Sequence, residues 1–183
     1  LCVLAGAVPF CTWIGGAPEI WQCVVYYVLL FGGIQIALFL KEKGAYRVWR
    51  VLSRGICVAV VCVSIFILGF RQKNLISITC LDIGQGDGIV IQLPGGKTVM
   101  VDGGSSSKKK VASYQILPYL KNQGISQIDG IFISHTDQDH INGVTEVLEE
   151  GKKGWLTVKN LMYPYWMEGT EQGKQLNFIF ING

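Results

Sequence analysis

The chain has two histidines, and both fall within six residues, His135-Thr136-Asp137-Gln138-Asp139-His140. Imidazole and carboxylate at this density suit a divalent metal ion. Such an ion lowers the pKa of bound water and offsets charge on the oxygen under attack. Two ions about 3.5–4 Å apart hold the attacking and leaving oxygens in line. His135, Asp137, Asp139 and His140 are therefore the candidate metal ligands. The competing reading is a polar turn in which Asp139 caps a helix beginning near Ile141.

The flanking pattern supplies elements to hold such a loop. Gly130–Ser134 reads as a short strand buried on both faces. Ile141, Val144, Val147 and Leu148 recur at helical spacing, with Glu146, Glu149 and Glu150 outward and Gly151 as a stop. Upstream, Leu75–Leu81 alternates, placing Ile76, Ile78 and Cys80 on one face. Gly88–Leu93 alternates likewise, Pro94-Gly95-Gly96-Lys97 signals a turn, and Thr98–Val101 resumes as a strand. Three antiparallel strands are expected. Tyr114–Asn122 reads as a short helix in which Pro118 must lie in the first turn or make a kink. Leu156–Tyr163 is expected as a strand, and Gln175–Ile181 fits strand or helix equally.

The first 73 residues differ in kind. They hold seven Lys/Arg against two Glu, whereas residues 74–183 hold nine Lys against eleven Asp/Glu; these halves of +5 and −2 make the net +3. The basic character belongs to the apolar part and says little about nucleic-acid affinity of the rest. Residues 21–40 carry no charge and are long enough to cross a bilayer core of about 30 Å. Residues 51–70 form a second candidate span with Arg54 near its start, and residues 1–15 resemble the tail of a third. The loop of residues 41–50 carries four Lys/Arg, which places it in the cytoplasm and residue 71 onward outside. Gln22 and Gln35 are expected to bond a neighbouring helix rather than line a pore. Cysteines lie in the apolar stretches except Cys80, with no C-x-x-C pair for zinc, and are expected to act as small buried hydrophobes. The chain opens at Leu1 inside an apolar run and stops at Gly183, so a longer parent protein is expected.

HTDQDH resembles the His-x-(His/Asp)-x-Asp-His signature of the metallo-β-lactamase superfamily. LDIGQGDGIVIQLPGGKTVMVDGG (residues 81–104) is similar to the opening of the metallo-β-lactamase-like domain of ComEC-type DNA-internalization competence proteins. So are Leu117-Pro118-Tyr119-Leu120-Lys121, Gly124-Ile125 and Ile128-Asp129. The likeness covers about residues 75–150. It implies membrane helices over 1–73, the end of a competence membrane domain, followed over 74–183 by an α/β domain, the first half of an αββα sandwich.

By the same resemblance, His135 and Asp137 would hold a first metal, Asp139 and His140 a second, with Asp139 orienting the attacking water. Asp102 would support the metal loop, and Asp87, in Gln85-Gly86-Asp87, would line the site. Asp139, Asp87 and Asp102 form the expected catalytic set. Ordinary turn roles compete for Asp87 and Asp102. The family's later ligand motifs are absent, so half a site is expected here. Two divalent ions are implied; the carboxylate of Asp137 favours Mn²⁺ over the alternative, Zn²⁺. The expected partners are DNA at the cell surface, membrane lipid and other DNA-uptake proteins. The expected function is a multi-pass bacterial membrane protein whose outer domain hydrolyses DNA phosphodiesters of the strand not imported. A membrane-tethered hydrolase of another ester or phosphodiester, or a non-catalytic binding module, are the alternatives. Lys108–Lys110 reads as a solvated loop, and no stripe of aromatic and basic residues for stacking single strands is evident.

Overall fold

The computed structural model describes residues 14–42, 46–70 and 75–181. It divides into two units, one comprising Ala17–Arg71 and the other built on Gln72–Gly183.

The first unit is a pair of helices, α1 (Ile20–Glu42) and α2 (Tyr46–Gly69). Within α1, Ile20–Phe39 is long and apolar enough to cross a membrane; the apolar stretch of α2, Ser53–Gly69, is shorter. The expected span over residues 1–15 and the loop lysines and arginines fall largely outside the described residues. Gln22 is buried, and its Nε2 donates to the carbonyls of Ile67 (2.7 Å) and Phe70 (2.9 Å). It thereby satisfies acceptors that the end of α2 leaves open and sets the two helices antiparallel. Gln35 is exposed on α1.

The second unit contains a five-stranded sheet of order β1-β2-β3-β5-β7. Strands β1 (Ser77–Cys80), β2 (Gly88–Leu93) and β3 (Lys97–Asp102) form an antiparallel meander. Beyond it, β5 (Gly130–Phe132) and β7 (Leu161–Met162) join parallel to β3. Strands β4 (Gln127–Ile128) and β6 (Thr157–Val158) make a separate two-stranded ladder. The segment expected as one strand, Leu156–Tyr163, is thus two short strands in different sheets, broken at Lys159-Asn160.

One face of the large sheet, through Val90, Met100 and Ile131, is fully buried with Ile116 and Leu120, and with Val144 and Val147 of helix α4 (Gln138–Gly151). The register puts Ile78, Ile91, Val99 and Phe132 on the opposite face, where Ile78 and Phe132 are exposed. The apolar alternation of β1 therefore marks the outer face rather than the core. Cys80 is also exposed, which corrects its expected burial, while Cys57 and Cys62 lie on the outer surface of α2.

Pro118 is accommodated by a change of helix type. Residues Ala112–Ile116 form a π-helical turn, and α3 (Leu117–Asn122) restarts with Pro118 in its first turn. The wider turn serves the backbone where proline has no N–H to give and would clash with the carbonyl four residues back. Helix α5 (Glu171–Ile181) resolves the ambiguity of Gln175–Ile181 in favour of helix.

Candidate metal centre

Strands β3, β5 and β7 run parallel, so their C-terminal ends share one edge of the sheet. Sites in open α/β sheets gather at that edge. Asp102 is the last residue of β3, and His135 lies three residues beyond β5.

Helix α4 begins at Gln138, not near Ile141, so Asp139 and His140 occupy its first turn. The residue before the helix is Asp137, whose backbone carbonyl accepts from the amides of His140 (2.9 Å) and Ile141 (3.2 Å). Its side chain makes no cap. The carboxylate instead faces His135, with Oδ2 3.5 Å from Nε2. That disposes of the capped-turn reading in the form expected, because Asp139 lies inside the helix rather than at its cap.

Asp102 organises the cluster. It is 4% exposed and adopts a left-handed backbone conformation, φ +52, which is uncommon for a residue with a Cβ. Its carboxylate accepts from the Ser134 amide (2.8 Å) and hydroxyl (2.7 Å), and from Nδ1 of His140 (3.0 Å). Ser134 Oγ also lies 2.8 Å from Nδ1 of His135. This network assigns both tautomers. Since a carboxylate accepts, His140 carries its proton on Nδ1. Since Ser134 gives its one proton to Asp102, His135 donates from Nδ1 to the Ser134 oxygen. In their neutral form both rings then present an Nε2 lone pair, the state in which imidazole binds a metal. The ring centroids lie 3.7 Å apart.

His140 is 8% exposed, and its Nε2 lies 3.9 Å from both Asp87 Oδ2 and Asp139 Oδ2. Asp87 is brought there by backbone approach. The Asp87 amide faces the Asp139 carbonyl (3.4 Å), and the Gly104 amide faces the Asp87 carbonyl (3.3 Å). A Cβ at Gly104 would collide with the backbone nitrogen of His140, and one at Gly86 with the carbonyl oxygen of Gly104. The glycines on either side of this crossing are therefore required for three backbones to meet.

The structure brings all six sequence-derived residues together: Asp87, Asp102, His135, Asp139 and His140 in one network, and Asp137 joined to it through His135. Two donors each about 2.0–2.2 Å from one ion can be no more than about 4.4 Å apart. The separations of 3.5 Å and 3.9 Å satisfy that limit, so the donor chemistry and spacing fit divalent metal. Among the described residues, no three His, Cys, Asp or Glu side chains already converge on a single point. The donors stand in pairs around His135 and His140.

Two participants escaped the sequence reading. Ser134 fixes one tautomer, and its only signal is adjacency to His135. Asn142 exchanges hydrogen bonds with the Ser105 backbone (2.9 and 2.6 Å), fastening the loop after Asp102 to the helix that carries His140.

The Metallo-beta-lactamase superfamily matches residues 81–180, which contain all of these side chains. Among curated proteins, the chain is 32% identical over 101 residues to "Recombination protein 2" of Haemophilus influenzae, covering 55% of this chain and 13% of that protein. It is 30% identical over 131 residues to "ComE operon protein 3" of Bacillus subtilis, covering 63% of this chain and 16% of that protein. The chain thus spans about one-sixth or less of the length of these relatives. No solved structure matches it. The chain belongs to the metallo-beta-lactamase superfamily, and its relatives within it include the ComEC-type competence proteins.

Proposed function

We propose that this chain is part of a DNA-uptake membrane protein whose metal-dependent domain hydrolyses DNA phosphodiesters outside the cytoplasm, on the strand that is not imported. The observation that carries the reading is the Asp102–Ser134–His135/His140 network. It presents two imidazole Nε2 atoms beside three carboxylates at one sheet edge.

In this reading His135 and Asp137 would hold one cation, and Asp139 and His140 would hold the other. Bound cations supply Lewis-acid polarisation of a phosphodiester oxygen and a more acidic attacking water. Asp139 accepts a hydrogen bond from that water and aims it. Asp87 lines the opening beside His140. Asp102 holds the rings in the tautomer that leaves Nε2 unprotonated. The lysine- and arginine-rich residues 41–50 set the orientation, by keeping that loop cytoplasmic and delivering residue 71 onward to the outer face.

The metal is Mn²⁺, because the Asp137 carboxylate makes the first site harder than a second imidazole would. Titrating metals into the stripped full-length protein, with DNA cleavage as readout, tests this. Activity rises with Mn²⁺, and Asp137→His shifts preference toward Zn²⁺. Activity of the unmutated protein with Zn²⁺ alone contradicts the assignment.

A further inference from the structure

The edge that carries the metal donors has two flanks that the hydrolytic reading leaves unused. On the β7 flank, the chain leaves Met162 and turns through a 3-10 helix, Tyr165–Met167. Met167 is fully buried, while Tyr165 and Trp166 are 88% and 57% exposed. Neither ring has a partner among the described residues. They are nevertheless held on a fixed turn. The Met167 amide donates to the Pro164 carbonyl (2.9 Å), and the Met167 carbonyl accepts from the Thr170 amide (3.0 Å) and hydroxyl (2.7 Å). Two large exposed aromatic rings are thus held on a fixed turn just beyond β7, with their faces open for stacking.

On the β3 flank lies the loop Ser105–Lys110. Gln85 ties it to the Asp87 loop, its amide donating to Ser107 Oγ (2.9 Å) and its carbonyl accepting from the Ser106 amide (2.8 Å). Lys108 is spent on Asp82 (3.2 Å). Lys109 and Lys110 are exposed and form no ion pair among the described residues.

Sheet order fixes how these pieces line up. Strand β5 lies between β3 and β7, so the donors of the His135 loop sit between the lysine loop and the aromatic turn. The Ile133 amide bonds the Met162 carbonyl (2.8 Å), which by chain reach keeps His135 and Tyr165 within about 25 Å of each other. Cations on one side and stacking faces on the other are what binding of an unpaired strand uses.

We infer that Tyr165 and Trp166 form a base-stacking platform and that Lys109 and Lys110 hold backbone phosphates, so that an unpaired nucleic-acid strand crosses the His135–His140 cluster between them. This rests on the proposed phosphodiester substrate, and its test separates the two. Binding is measured by fluorescence anisotropy on full-length protein carrying His135→Ala, which leaves the probe uncut. The probes are a thymidine dodecamer and an abasic strand of equal length and charge.

Trp166→Ala weakens dodecamer binding about tenfold and leaves the abasic strand unaffected, while Trp166→Phe retains most of the binding. Replacing Lys109 and Lys110 with Gln weakens both probes alike and reduces the salt slope by about 1.4. Equal loss on both probes with Trp166→Ala, or no loss on either, overturns the platform. Absence of cleavage by the unmutated protein, with Trp166-dependent binding intact, rejects the hydrolytic reading and keeps the platform.

Discussion

The same residue types behave oppositely in the two units. In α1, Val24, Val28, Phe31 and Ile34 are exposed, whereas Val90, Ile131 and Val144 of the second unit are fully buried. A water-soluble helix with that much apolar surface would aggregate or pack away. A bilayer removes the penalty, because lipid tails are as apolar as the side chains. Polar groups show the complementary contrast. In α1 the buried amide of Gln22 finds carbonyls at a helix end, while in the second unit the buried carboxylate of Asp102 finds three donors around the histidines. The first arrangement closes a helix pair. The second leaves two imidazole nitrogens open for chemistry.

The contrast breaks most sharply across the membrane. A reporter enzyme active only outside the cytoplasm is expected to work when fused after Asn74 and to fail when fused after Gly44. The reverse pattern would put the metal donors on the cytoplasmic side.

A smaller effect separates positioning from folding. Asp102→Asn keeps the shape but offers an amide where His140 and Ser134 need acceptors. Metal affinity, read by equilibrium dialysis, is expected to fall about 10–100-fold, with thermal unfolding shifted by only a few degrees. Unchanged affinity would show that the tautomers are set elsewhere.

The smallest expected effect lies away from the edge. Asp129 accepts from the Thr98 amide (2.9 Å), Gln127 Nε2 (3.0 Å) and Lys159 Nζ (3.1 Å), joining the start of β3 to the strands beyond. The Thr98 amide first, then Lys159, holds its carboxyl below the ordinary value of 3.8. A lowered folded-state pKa means stability that is present above 3.8 and lost as pH falls through the folded value. Asp129→Asn is therefore expected to cost about 1–2 kcal/mol at neutral pH and progressively less in acid, by denaturant titration across pH. A cost that stays constant into acid would contradict the charge-based account.

The strand pattern was legible where one face is buried: Gly88–Leu93 alternates in sequence and forms β2 with those bounds. The pattern was silent on orientation at β1, because alternation reveals that two faces differ and not which one packs. Ile78 lies outward and Thr79 takes the inner face. Pro118 announced a disruption, but its π-helical solution depends on the backbone of the preceding turn. The clustering of His135, Asp139 and His140 was legible because the chain's two histidines fall within six residues of each other. Tyr165 and Trp166 were invisible as a surface, since only the parallel pairing of β5 with β7 brings them to the edge occupied by His135.

The His135–His140 cluster is proposed to cut DNA with bound metal. Cleavage of a labelled oligonucleotide by the purified full-length protein, with and without Mn²⁺, measures it most directly. The expected result is Mn²⁺-dependent cleavage that His135→Ala or Asp139→Ala abolishes while circular dichroism stays unchanged. Cleavage that survives both substitutions, or that proceeds in chelator, would contradict it.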